Sequence, residues 1–317
     1  MGYNIYMDLC ALTSQYRSVS IVGMCKNAGK TTVLNAILCA HSSEGLNVAI
    51  TSIGRDGERV DIVTGTDKPP VFVKKGTFIA TAEQLLSKAD ITQRIMDVTD
   101  VSTPLGRVVL VEALSDGFVE LAGPSMTGEL MDLIQRFYAM GADKVIIDGA
   151  VSRRSSAQPA ICEAVILCTG ASYCADRNKL IEDTDYVAEL LTLKKSQRCG
   201  VIVSGELIDA VRSNVDSNVF CVCGALTDKM LRPLIESNYP QKTLELVVQD
   251  GSRVLASRST YSKCLARGIS LWVQNEMKLI FVTVNPRSAT GEDMEGIGLI
   301  DALRQRINVP VYNVKED

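Results

Sequence analysis

The segment GMCKNAGKT, residues 23–31, constrains this chain more than any other stretch. It is close to G-x-x-x-x-G-K-[ST], with five residues rather than four between Gly23 and Gly29, and has the apolar, β-branched run SVSIV before it and the helix-like KTTVLNAIL after it. A strand that turns tightly and re-enters the fold as a helix offers successive backbone N–H groups to one anion, backed by the positive end of the helix. Gly23, Lys26, Asn27, Ala28 and Gly29 form the expected cradle, Gly29 allowing close backbone approach. Lys30 is expected to reach the β- and γ-phosphates of a nucleotide, Thr31 to hold Mg²⁺ through its hydroxyl, and Thr32 to meet the α-phosphate. No N-K-x-D follows a strand, so guanine selection has no support and ATP is the expected nucleotide.

Such a loop needs a carboxylate for the metal. VIIDG places Asp148 at the end of a buried strand, where it can hold Mg²⁺ through water or cap the following turn. VVLVEALSDG offers Glu112 as a further metal or water-positioning group, with Asp116 close behind; either also serves as a turn or cap residue. Asp56, in the loop after the second strand, is a catalytic candidate beside Lys30 and Asp148, since parallel sheets bind ligands at their carboxyl ends. Arg153 and Arg154 are candidate arginine fingers, or a solvated loop or docking patch. Thr169, Ser204 and Asn285 end strands and can contact a ligand or form turns, while Cys25 sits within the cradle as an oxidation-sensitive candidate.

Apolar strands at 17–23, 46–54, 107–114, 144–150, 163–170, 200–205 and 219–224 alternate with helical segments. That alternation predicts an α/β fold with a mainly parallel sheet flanked by helices. Residues 60–105 read as less regular, with a helix near 81–88; PSMTGELMDLIQRFYAMG predicts a capped helix closed by Gly141. The pattern shifts near 238–241, so the expected division is a nucleotide-binding domain over 1–240 and a small α/β unit over 241–317.

The apolar fraction of 46% supports a sizeable core in this 317-residue chain. A net charge of −4 and a pI near 5.3 argue against a general nucleic-acid binder. No run reaches the ~18 apolar residues of a membrane span. The opening residues lack the cationic and apolar regions of a signal peptide, so a cytoplasmic protein without membrane attachment is expected. Ten scattered cysteines with no C-x-x-C read as small reduced hydrophobes, and with His41 the single histidine a zinc site is not expected.

The P-loop, "TSIGRDGE", "VEALSDG" and "GVIVSG" together resemble the dethiobiotin-synthetase-like branch of P-loop proteins over residues 17–225, although dethiobiotin synthetase carries a G-x-G-V-G-K-T loop. The first two strands are also similar to the nucleotide-binding protein of molybdopterin guanine dinucleotide synthesis. A wider likeness, through "SIVGMCKNAGKTTVLNAI", "TSIGRDGE" and "VIIDGAVSRRSSAQP", is to the ATP-binding components of reactivases for adenosylcobalamin-dependent enzymes of the lysine 5,6-aminomutase kind. That resemblance implies an ATPase chaperone that promotes release of damaged cobalamin, with a second reactivase subunit and the aminomutase as partners. Only the P-loop residues carry over, and no cobalamin-binding D-x-H-x-x-G is present. Relatives of this branch often pair across the nucleotide face, which implies a homodimer. Some place a lysine in the loop one position earlier, where this chain has Cys25 before Lys26. Two other expectations compete. One is a biosynthetic ligase or kinase, for which Lys74 and Lys75 would receive an anionic acceptor; the other is a nucleotide-gated binding module without catalysis.

Overall fold

The computed structural model describes residues 5–54, 70–149, 158–237, 243–288, 291, 293–294 and 296–314. The chain divides into two compact units, Met1–Thr184 with Leu279–Asp317, and Asp185–Lys278. It is an α/β protein, with a large, mostly parallel sheet in the first unit and a small parallel sheet in the second.

In the first unit, helix α1 (Ile5–Ser14) precedes strand β1 (Ser18–Gly23), helix α2 (Lys30–Ser43) and strand β2 (Val48–Ser52). Then come β3 (Val71–Val73), β4 (Phe78–Ala82), the single turn α3 (Glu83–Leu86), β5 (Gln93–Thr103), β6 (Gly106–Ala113) and β7 (Gly117–Val119). Helix α4 (Thr127–Ala139), β8 (Lys144–Asp148), β9 (Ala164–Gly170) and the start of α5 (Arg177–Leu190) complete this run. Among the described residues nine strands form the large sheet, with β1 at its centre between β8 and β9. The side beyond β8 runs through β2, β4, β6 and β5, and β3 pairs separately with β7.

The centre of the sheet is apolar on both faces because helices cover both, which is why β1 reads as an uninterrupted buried run. Val19 and Ile21 of β1, Ile146 of β8 and Ile166 of β9 share one core cluster with Val33, Leu34 and Ile37 of α2. Burial of each such aliphatic side chain contributes about 1.5–3 kcal/mol. The expected strands at 17–23, 46–54, 144–150 and 163–170 all appear in this sheet.

Three expectations change. The irregular stretch 60–105 contains the eleven-residue strand β5, and its expected helix is only the four-residue α3. The run at 107–114 is a buried strand, but β6 runs antiparallel to both β4 and β5. The reason is local: only Pro104 and Leu105 separate β5 from β6, too few for anything but a hairpin. An apolar run reports burial and carries no information on strand direction. Helix α4 forms as expected, but its N-cap is Met126, and no side chain caps it.

The second unit is a succession of β-α-β crossovers. Strands β10 (Val201–Val203), β11 (Val219–Val222), β12 (Leu244–Val248) and β13 (Ile269–Val273) lie in that order and are parallel throughout. Helices α6 (Leu207–Ser213), α7 (Asp228–Glu236) and α8 (Arg258–Ala266) make the connections. Phe220, Leu246, Leu231 and Val211 are buried in its core.

The expected division at 240/241 therefore falls inside this small sheet, between β11 and β12, whose residues Phe220 and Leu246 are register partners. The last strands return to the large sheet instead. After β14 (Leu279–Asn285) come helix α9 (Gly296–Arg304) and β15 (Val311–Asn313). Strand β14 pairs with β9, and β15 pairs with β14. Residues 238–242 lie outside the described residues, and the pairing of the strands on either side of them, which composition does not report, puts both strands in one unit.

Phe281 of β14 is fully buried and meets Tyr312 edge-on, with ring centroids 5.7 Å apart. Phe281→Ala is expected to destabilise the unit that carries β1 by about 3–5 kcal/mol, measured by urea unfolding; a β14 outside that unit would leave its transition in place.

Candidate functional site

The GMCKNAGKT segment lies at the carboxyl end of the central strand. The amide of Met24 donates to the Cys168 carbonyl at 2.9 Å, extending the β1–β9 ladder one residue past Gly23. The chain then reverses through two left-handed residues, Asn27 with φ 58° and Gly29 with φ 85°. Helix α2 starts at Lys30, and its first internal bond runs from the Val33 amide to the Gly29 carbonyl at 3.1 Å. The N-cap is Gly29, so no side chain caps the first turn. An uncapped helix start behind a reversed turn is the arrangement that attracts phosphate.

Each glycine of the motif has a steric reason. A Cβ on Gly23 would lie 2.8 Å from Lys30 Nζ and 2.9 Å from Lys30 Cδ. Lys30 thus folds back across Gly23, bringing its ammonium group over the turn. A Cβ on Gly29 would lie 3.0 Å from both methyl groups of Val314. Val314 follows β15 and donates its amide to the Val284 carbonyl at 3.0 Å. Asn285, at the end of β14, donates from Nδ2 to the Asn27 carbonyl at 2.8 Å and accepts from the Arg287 amide at 3.2 Å. It is therefore both a turn former and a brace on the loop. Ala28 is buried and anchors the turn; Lys26, Asn27 and Thr32 are exposed, and Lys30 and Thr31 are half-buried.

Asp148 ends β8, level with Ile21 of β1 and Ser52 of β2. The Gly149 amide donates to the Ile21 carbonyl at 2.9 Å, tying the exit of β8 to β1. Lys30 and Asp148 both act on the fully buried Cys168 thiol beneath the turn. Burial, countered by the Thr283 hydroxyl and the Lys30 ammonium and reinforced by Asp148, pushes that thiol up to about 11. The sheet thus brings together Gly23, Lys30, Thr31 and Asp148.

It does not bring in Glu112. Because β6 is antiparallel, Glu112 is level with Phe78 and, through it, with Ala49, toward the amino ends of the parallel strands. Four strand spacings separate β6 from β1, about 19 Å across the sheet. Its carboxylate pairs instead with Arg94 of β5. Asp116 accepts from the Lys75 amide at 2.8 Å and is a turn residue. Ser204 follows β10, in the other unit. Thr169 is fully buried, with its hydroxyl 3.1 Å from that of Thr184. Lys74 donates to Ser43 Oγ at 2.9 Å, at the end of α2 opposite Lys30. A helix of that length puts them about 20 Å apart, so the paired lysines do not flank the cradle. Asp56, Arg153 and Arg154 lie outside the described residues.

Two features were not legible in the sequence. Val314 touches the second glycine from 285 positions away, with no local pattern to mark it. The Gly123 amide donates to Ser52 Oγ at 3.2 Å, and the Gly54 amide to the Pro124 carbonyl at 2.9 Å. Those bonds bring the uncapped start of α4 to the end of β2, the neighbour of the strand that bears Asp148.

No family model matches this chain, and neither a curated protein nor a solved structure does. Among the described residues no helix is long and apolar enough to cross a membrane.

Cys25 proves a poor candidate for oxidation. Burial, partly offset by Lys30 and reinforced by Cys174, pushes its thiol up to about 11. At pH 8 the thiolate is then about a thousandth of the total. Iodoacetamide labelling followed by peptide mass spectrometry is expected to modify the exposed Cys39 and Cys199 well before Cys25. The Cys25 rate should climb about tenfold per pH unit.

Proposed function

We infer that this protein binds and hydrolyses ATP with Mg²⁺ as a P-loop NTPase. The observation that carries the reading is Lys30 folded across Gly23 at an uncapped helix start, beside the strand that ends in Asp148. Amides of the turn and of the first turn of α2 bind phosphate oxygens; Lys30 neutralises the terminal phosphates; Thr32 contacts the α-phosphate. The Thr31 hydroxyl and Asp148 are oxygen donors suited to Mg²⁺, which when bound neutralises charge shared between the β- and γ-phosphates. Glu112 has no part in the site. Asn285 holds the loop in its phosphate-ready shape through the Asn27 carbonyl.

In the cell we assign it the role that the reactivase resemblance implies: a cytoplasmic chaperone subunit, working with a second subunit on an adenosylcobalamin-dependent aminomutase. A P-loop protein contacts ATP and ADP differently, and that difference can bias a docking surface between two states. The position of Lys74 at the far end of α2 supports this over a ligase or kinase, because it leaves the cradle without the expected acceptor lysines.

Hydrolysis of ATP, measured alone and with an aminomutase carrying damaged cobalamin, is expected to be slow alone and stimulated by the partner. A phosphorylated or ligated small acid or alcohol formed without a protein partner would overturn the chaperone role. Lys30→Ala removes a charged hydrogen bond of about 1.5–3 kcal/mol. Calorimetry with Mg·ATP should therefore show affinity falling about ten- to hundredfold. Asp148→Asn is expected to lose the magnesium dependence of binding while retaining metal-free ATP affinity.

A further inference from the structure

Helix α1 packs on α2, and three donor groups meet at that contact, far from Lys30 along the helix. Cys10 Sγ lies 3.4 Å from His41 Nδ1, and Glu44 Oε2 lies 3.7 Å from the same nitrogen. The donor atoms of Cys10, His41 and Glu44 all fall within 4.8 Å of one another. A tetrahedral ion with metal–sulfur bonds of about 2.3 Å and metal–nitrogen or –oxygen bonds of about 2.0–2.1 Å separates its ligands by about 3.3–3.6 Å. The two measured separations lie close to that range.

The ring of His41 is oriented for ligation. Its Nε2 lies 2.8 Å from Thr13 Oγ1. The Thr13 hydroxyl donates its proton to the Leu9 carbonyl at 2.8 Å, so it accepts from Nε2–H. That fixes the tautomer in which Nδ1 keeps its lone pair, aimed at Cys10 and Glu44; outer partners of this kind orient metal-binding imidazoles. Burial, then the nearby Lys144 ammonium, hold the imidazole below its ordinary pKa against the pull of Glu44. Lys144 is itself held by the carbonyls of Thr13, Ser14 and Tyr16, at 3.1, 2.5 and 2.7 Å. Cys10 and His41 are buried, while Glu44 is exposed and leaves a solvent side for a water ligand.

We propose that Cys10, His41 and Glu44 bind one divalent transition-metal ion of the zinc class, with water as the fourth ligand. The thiol proton leaves to solvent as the metal–sulfur bond forms, and nothing is oxidised or reduced. Thiolate and carboxylate balance the two positive charges of the ion. The thiolate and imidazole donors select zinc or cobalt over magnesium, so this site is distinct in chemistry from the proposed nucleotide metal. Its role is a clamp that fastens α1 to the helix that starts at Lys30, and it stands independently of ATP binding.

The test is titration of the full-length, reduced protein with Co²⁺ under excess Mg²⁺ and without nucleotide. The expected result is one cobalt per chain, with a thiolate-to-cobalt charge-transfer band and intense tetrahedral d–d bands, both abolished when zinc is added. The bands should vanish in Cys10→Ser and persist in Cys39→Ser, with folding of each variant checked by circular dichroism. If Cys10→Ser does not fold, the exposed Glu44→Gln decides: a loss of cobalt affinity of about tenfold or more supports the site. No thiolate band in the wild-type protein, a band that persists in folded Cys10→Ser, or unchanged affinity in Glu44→Gln would overturn it.

Discussion

Two parallel ladders, one on each side of β1, hold the candidate site in place. Strand β8 aligns Asp148 with Ile21, and β9 aligns Cys168 with Gly23. A strand paired on both edges and covered on both faces cannot shift register without moving every buried side chain it carries. The turn after Gly23 therefore leaves from a fixed point, and the start of α2 is fixed in turn by Val33, Leu34 and Ile37 packing back on the same sheet. A short loop, braced by Asn285, joins two elements with little freedom to separate.

The far C-terminal strands complete that arrangement. Strand β14 lies against β9, and its last residue, Asn285, reaches the Asn27 carbonyl; β15 places Val314 against Gly29. Gly29 is thus confined by backbone conformation and by contact alike. The unit that contains the motif is discontinuous in sequence, since residues 185–278 form another unit between its parts. Insertion at such a point is tolerated when the sheet on either side of it is already specified by pairing.

Helix α2 also links two chemistries. Its first residue is the lysine folded across the turn, and near its last turn sits the chain's only histidine, buried against Cys10 and Thr13. A rigid helix transmits position along its axis, so whatever fastens α1 to its far end also steadies the end that starts at Lys30. The wide separation of the two ends keeps their donor sets chemically independent.

The sequence determined what local physics controls. The apolar run at 18–22 required a buried strand; the glycine and lysine spacing at 23–30 required a tight turn with a cation folded over it; VIID required a carboxylate where a buried run stops. These depend on residues a few positions apart, whose steric and burial preferences act wherever the segment ends up. Tertiary structure decided what depends on pairing. Glu112 has the same local pattern as Asp148, an acid closing an apolar strand, yet the hairpin from β5 turns β6 around and sends it to the wrong end of the sheet. The shift at 238–241 looked like a domain boundary, yet β11 and β12 pair across it. Strand direction, sheet order and the approach of Val314 to Gly29 arise from hydrogen bonds and contacts between residues tens to hundreds of positions apart. A single sequence carries no local signal for them.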